Sequence, residues 1–281
     1  PSKGQLHRAI GGPFATETLR GLESGIADGG YELTLVGLRE DTPAEFDRAV
    51  LRQTHFAGVV FLRGHVESVF LDGLESSGRP YILVDYESNE LVRPVRAVYH
   101  DAGRSFERLT RSLFSKGHTR ITYIGYTKHS SVRLHGYRKA CRELGIRENA
   151  LLSDEPEAGD VLVQRYRGLE LSRRLLDEDP DCTAVVSVTD ATAFGVYDGL
   201  VEAGRKPGED MDLASFDDLE GLGILPYGRP ILTTVHKPRY EIGRKAADIV
   251  LGAIEGSDAI RGRIEVPADI IERETCKFLT G

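Results

Sequence analysis

Tyr81-Ile82-Leu83-Val84-Asp85 is the stretch from which the fold can be read. Its apolar run shows no alternation of wet and dry sides, and it stops at a carboxylate. That pattern predicts a short strand covered on both faces, as in a parallel sheet sandwiched between helices. Similar runs at 33–36, 58–62, 97–99, 121–125, 184–188 and 213–216 predict further strands. Longer amphipathic stretches separate them. Thr42-Pro43-Ala44-Glu45 supplies a capping hydroxyl, a proline for the first helical position and a glutamate able to reach back, so it predicts a helix start. After Pro238, Ile242, Ala246, Ile249, Val250 and Ala253 fall on one face of a helix predicted to end near Gly256. Strands alternating with helices give an α/β, doubly wound architecture.

At 281 residues the chain exceeds the roughly 150 typical of one domain, so two lobes are expected. No solenoid repeat or low-complexity tether separates them, and they are therefore expected to share crossovers rather than hang on a linker. Hydrophobic residues at 40% and charged residues at 28% place the chain among ordinary globular proteins. Its apolar runs fall far short of the ~20 residues a membrane helix needs, so no membrane partner is expected. The net charge is -8, and basic residues gather no further than pairs such as Arg173-Arg174. Such a surface is poorly suited to DNA phosphates, and this chain by itself is expected to bind DNA poorly. Cys141, Cys182 and Cys276 fit neither a disulfide framework nor a zinc site, which points to a reducing cytoplasm. The opening Pro-Ser-Lys-Gly-Gln-Leu-His, without an initiator methionine or a signal-like segment, reads as the cut edge of a longer protein.

Catalytic signatures are missing from the sequence. It contains no Gly-x-Ser-x-Gly elbow, no phosphate loop and no His-x-x-x-His metal pair, so no enzyme activity, metal or cofactor is expected. Asp85 and Asp217 could pair as acid and base in the manner of glycosidases, but a hydroxyl-binding site explains both with fewer assumptions.

Several motifs follow one another in a telling order. Pro13-Phe14 is followed by Arg20-Gly21-Leu22-Glu23, then Gly29-Gly30-Tyr31-Glu32-Leu33, Phe56-Ala57-Gly58-Val59-Val60 and Arg79-Pro80-Tyr81. Lys116-Gly117-His118-Thr119-Arg120-Ile121 and Arg133-Leu134-His135-Gly136-Tyr137 come next. Thr189-Asp190-Ala191, Phe216-Asp217-Asp218, Leu232-Thr233-Thr234-Val235 and Glu272-Arg273-Glu274 complete the set. In order and spacing these resemble the effector-binding core of the lactose/galactose repressor family, over nearly the whole chain.

The resemblance implies a periplasmic-binding-protein-like fold of two Rossmann-like lobes with parallel sheets, joined by three crossovers near 99–101, 236–238 and 267–268. An N-terminal lobe would hold 1–99 and 237–267, and a C-terminal lobe 100–236 and 268–281. It also implies a cytoplasmic, homodimeric transcriptional regulator that senses a small molecule by closure of the cleft between its lobes; the acid-plus-arginine constellation favours a mono- or disaccharide, with a purine or a phosphorylated sugar as the open alternatives. Operator DNA would be read through a headpiece not present in this chain. The alternative is an extracytoplasmic sugar-binding protein of a transport system. Two departures stand out: Gln5-Leu6-His7-Arg8-Ala9-Ile10 is mixed where the family has an apolar first strand, and Tyr227-Gly228-Arg229-Pro230-Ile231 replaces a double proline.

The resemblance and the residue chemistry together single out Phe14, Asp85, Arg133, Thr189 and Asp217 as ligand-binding candidates. Asp85 and Asp217 each end an apolar strand, where a carboxylate can accept from ligand hydroxyls; for Asp85 the other reading is a capping or loop aspartate. Asp218 is expected to cap the next turn. Arg133 opens a helix, and a cation at that positive end needs a polar or anionic partner, either a ligand or a surface carboxylate. Phe14 could stack on a sugar face or pack in the core, and Phe216 and Tyr99 are open in the same way. Thr189 stands where the family often has asparagine and keeps only a hydroxyl; Asp190 beside it is expected to be a helix N-cap. His118 is expected to tie a helix end to the following strand, without a chemical role.

Overall fold

The computed structural model describes residues 13–38, 42–62, 66, 68–85, 95–127, 131–154, 160–257 and 262–276, excluding the side chains of residues 13, 14 and 131. The mixed segment 5–10 lies outside the described residues. The chain forms two compact units, Pro1–Asp101 with Pro238–Pro267, and Ala102–Lys237 with Ala268–Gly281.

In the first unit the strands β1 (Val59–Leu62), β2 (Tyr81–Val84), β3 (Ala97–Tyr99) and β9 (Arg263–Glu265) form a parallel sheet in the order β1-β2-β3-β9. β2 lies inside this sheet with every residue buried, which explains its unbroken apolar run. Ile82, Val84 and Val98 pack on α1 (Pro13–Asp28) and α8 (Arg239–Ile254) through Leu22, Ile26, Ile242 and Val250. The alternate residues Tyr81, Leu83 and Ala97 meet Phe46, Phe70, Leu71 and Leu74 from α2 (Pro43–Phe46) and α3 (Ser68–Ser77). Thr42 caps α2 as expected, accepting from the Glu45 N–H, although the helix passes after one turn into a π-helical turn, Asp47–Leu51.

The strand expected at 33–36 does not form. Residues 31–38 carry no regular structure, and Leu35 and Val36 are each 43% exposed. A strand is stabilised by its ladder. Here 31–38 and β1 instead line an apolar groove of about 900 Å³.

In the second unit a six-stranded sheet runs in the order β10-β8-β7-β6-β4-β5. Its strands are β4 (Ile121–Tyr126), β5 (Asn149–Ser153), β6 (Ala184–Ser187), β7 (Asp212–Phe216), β8 (Thr233–His236) and β10 (Asp269–Ile271). All pairs are parallel except β10 with β8, so the sheet has one antiparallel edge. Phe106 and Leu109 of α4 (Ala102–Ser115) and Tyr137 of α5 (Ser131–Leu144) bury one face against Tyr123, Val186, Ala214 and Phe216. Tyr137 also donates to the Ile121 and Asn149 carbonyls, so its hydroxyl remains satisfied inside the core.

The remaining helices, α6 (Val161–Glu178) and α7 (Asp190–Glu202), cross at glycines. A Cβ on Gly195 would lie 1.7 Å from the Arg165 carbonyl oxygen, and one on Gly168 would lie 2.0 Å from that of Thr192. Neither obstacle is a movable side-chain end, so the helices would have to separate. Gly195→Ala should lower unfolding free energy by about 1–3 kcal/mol, the usual cost of overpacking, as measured by urea denaturation. A change below about 0.5 kcal/mol would show that the crossing tolerates the methyl group.

Candidate functional site

Positive φ angles mark where the backbone has been bent for a purpose. Among the described residues, the non-glycine positions with positive φ are Asp85 (58°), Asp217 (123°) and Asp218 (55°), all directly after strand carboxyl ends. Aspartate tolerates this region better than most residues, but strain there still costs free energy and is typical of functional turns. Asp85 follows β2 in the first unit, and its N–H donates to the Val98 carbonyl. Asp217 follows β7 in the second unit, is 6% exposed, and donates its N–H to the Val235 carbonyl.

The second unit brings several of the sequence candidates to one end of its sheet. Arg133 sits in the first turn of α5. Its Nη1 donates to the Val188 carbonyl at 2.6 Å, and its guanidinium carbon stands 4.2 Å from the centroid of the Phe216 ring. The ring and carbonyl meet part of the charge, and no carboxylate pairs with Arg133 among the described residues. Phe216 is fully buried, with one partner in the core at Phe106 and another in this guanidinium. Tyr99 belongs to the first unit, where Arg263 lies over its ring.

The capping assignment at 189–190 needs correction. Thr189 is the N-cap of α7, accepting from the Thr192 N–H, whereas Asp190 is the first helical residue and is wholly buried. Its Oδ1 accepts from the hydroxyls of Ser215 and Thr234, and its Oδ2 from the Leu219 N–H at 2.7 Å. The sequence could not distinguish two adjacent capping residues; the neighbouring strands decide, because they offer hydroxyls to only one of them. Burial, and then the charge of Asp217, push the Asp190 carboxyl up to about 7, against the pull of those hydrogen bonds.

Asp218 takes the opposite course. It caps the next turn through the Gly221 N–H and also accepts from His236 Nδ1 at 2.8 Å and Arg273 Nη2 at 2.7 Å. Burial acts to raise its pKa, but these two partners overcome it and hold the carboxyl at about 2. The turn after β7 is thus clamped from both sides, with Asp217 between Phe216 and a salt-bridged neighbour.

The remaining predicted residues lie elsewhere. The side chain of Phe14 is outside the described residues. His118 joins the other end of the sheet, where its ring nitrogens meet Thr183 Oγ1 at 2.9 Å and Asp212 Oδ2 at 3.0 Å beside Lys116. The three cysteines are free and buried. Among the described residues no group of three or more histidine, cysteine or acidic side chains could hold a metal ion, and no helix is long and apolar enough to cross a membrane.

Residues 110–276 match the family of periplasmic binding protein-like domains. Over 281 aligned residues the chain is 26% identical to the ribose operon repressor of Escherichia coli (strain K12), covering 96% of this chain and 80% of that protein. Its fold is similar to that of the transcriptional regulator CelR in complex with cellobiose, with a TM-score of 0.75, 24% identity, and coverage of 97% of this chain and 81% of the other. It is also similar to the lac repressor dimer bound to operator and an anti-inducer, with a TM-score of 0.74, 18% identity, and coverage of 94% and 89%.

The raised Asp190 carboxyl has a consequence for stability. Its unfolded value is near 3.8 and its folded value about 7, so the folded state binds the proton more tightly. Stability therefore falls as pH rises through that window, with the full cost present above it. Asp190→Asn keeps the shape without the charge, and its unfolding free energy should decline less between pH 5 and 7 than that of the unsubstituted protein. Parallel slopes in denaturant titrations would show that Asp190 is ionised throughout.

Proposed function

Because the chain belongs to the family of periplasmic binding protein-like domains, we propose that it is the effector-binding and dimerising core of a lactose/galactose-type transcriptional repressor. Its effector on this reading is a free mono- or disaccharide. It works in the cytoplasm as a homodimer, and operator DNA is engaged through a segment beyond this chain. The net charge of -8 supports that division of labour, since the surface offers phosphates little to bind.

Arg133 carries the reading. A guanidinium stacked on Phe216, fixed through one nitrogen to a carbonyl and met by no carboxylate among the described residues, retains N–H donors for a guest above the strand ends. Asp217, one residue beyond that ring, supplies the acceptor. A donor fixed at the start of α5 and an acceptor just beyond β7 suit vicinal hydroxyls, each of which can give and receive. Asp85 offers the same strand-end carboxylate in the first unit. The relatives, a repressor and a transcriptional regulator by name, favour a regulator over a transport protein of the same fold. Ribose and cellobiose, taken from the names of those relatives, are the first sugars to try.

Arg133→Ala should abolish measurable sugar binding in calorimetric titration while leaving the dimer intact in sedimentation. Asp217→Ala should weaken binding at least tenfold, consistent with the ~1.5–3 kcal/mol of a hydrogen bond to a charged group. Unchanged dissociation constants in both variants would remove the strand-end site from consideration.

A further inference from the structure

Arg133 is not the only side chain anchored on the turn after β6. Val188 holds Arg133 through its carbonyl, and the next residue, Thr189, holds Gln164 of α6: Thr189 Oγ1 donates to Gln164 Oε1 at 2.8 Å. We propose that Gln164 is a specificity-determining residue whose side-chain Nε2 group donates to an oxygen of the effector. The proposal rests on the reading that a sugar binds at this end of the second unit's sheet.

In the structure the Gln164 amide turns its oxygen toward Thr189, and the neighbouring hydroxyls are consistent with that orientation. The hydroxyl of Thr189 has one proton, and Gln164 Oε1 takes it. As the N-cap, the same oxygen accepts from the Thr192 N–H at 3.2 Å. The 2.9 Å bond between the Thr189 and Thr192 hydroxyls must therefore be donated by Thr192. The Thr192 oxygen in turn takes the proton of the buried Tyr126 phenol, 2.6 Å away. A one-way chain thus runs from Tyr126 through Thr192 and Thr189 to Gln164, and it ends on the amide oxygen.

The chain spends the oxygen of Gln164 and leaves both Nε2 hydrogens. No protein acceptor meets them among the described residues, although the residue is only partly exposed. Ordering an amide costs side-chain entropy that an idle surface glutamine does not incur. Here that cost yields a donor pair fixed to the same two-residue turn that fixes Arg133. With Asp217 accepting and both Arg133 and Gln164 donating, the site reads three separate oxygens of a sugar. A fixed donor that a bound ligand covers but does not satisfy discriminates against a ligand lacking that hydroxyl.

The test titrates a panel of free pentoses, hexoses and disaccharides, headed by D-ribose and cellobiose, into the unsubstituted protein and into Arg133→Ala, Gln164→Ala and Gln164→Glu. Glutamate can still accept from Thr189 but has no hydrogens to give. Both Gln164 variants should bind the selected sugar at least tenfold more weakly, with thermal midpoints unchanged in the absence of sugar. One monodeoxy analogue of that sugar should bind the unsubstituted protein at least tenfold more weakly than its parent, yet match its parent in Gln164→Ala. If both Gln164 variants bind within twofold of the unsubstituted protein while Arg133→Ala does not bind, Gln164 is not a contact and the sugar-sensing reading stands. If the unsubstituted protein binds no sugar of the panel, the sugar-sensing reading falls and the role of Gln164 falls with it.

Discussion

The buried carboxylate of Asp190 is the constraint on which the candidate-site end of the second unit's sheet depends. It lies at the first residue of α7, yet its hydrogen bonds reach Ser215 on β7, Thr234 on β8 and the backbone of Leu219. One side chain thus joins a helix start, two strands and the turn that follows β7. A charge in that position is costly, and the structure answers with three donors and a raised proton affinity. The reward is placement: the strained φ of Asp217 and Asp218 persists because the residues on either side are held.

The clamp also explains why two adjacent aspartates differ so sharply. Asp218 is neutralised by His236 and Arg273 and behaves as part of the frame. Asp217 stands next to the ring that carries Arg133. Sequence alone shows an Asp-Asp pair after an apolar strand, with the second residue expected to cap; the structure adds the partners that make it a strut. A histidine and an arginine so far along the chain, at 236 and 273, leave no local trace of that role.

How far the sequence could be read follows the same division between local and distant causes. β2 was legible because both faces are covered, so every residue is apolar. The α5 helix and the end of α8 were legible because period and glycine placement are local signals; Gly256 takes the positive φ expected beyond a helix end. β8 was recognised as a motif but not as a strand, since Thr233 and Thr234 look polar until their hydroxyls are seen bonded to the Cys276 carbonyl and to Asp190. β9 and β10 span three residues each, too short to show a period. Residues 33–36 have the composition of a strand but pair with no strand among the described residues. At the site, the charge mismatch of Arg133 at a helix start pointed to a special role, but its Phe216 platform is a tertiary fact. Gln164 gave no signal, because its importance lies wholly in Thr189, twenty-five residues later.

These arrangements bear on what kind of guest the strand ends can accept. Arg133 brings one positive charge, but Asp217 brings a negative one, and Asp190 adds a second whenever its proton leaves. A phosphorylated sugar would meet Arg133 only by bringing about two further negative charges close to those carboxylates, where low dielectric strengthens repulsion. A neutral polyol brings no such charge: its hydroxyls can donate to the aspartate and accept from the guanidinium within the same ring. On the proposed reading these charges favour an uncharged sugar over its phosphate, most of all above neutral pH, where Asp190 is ionised.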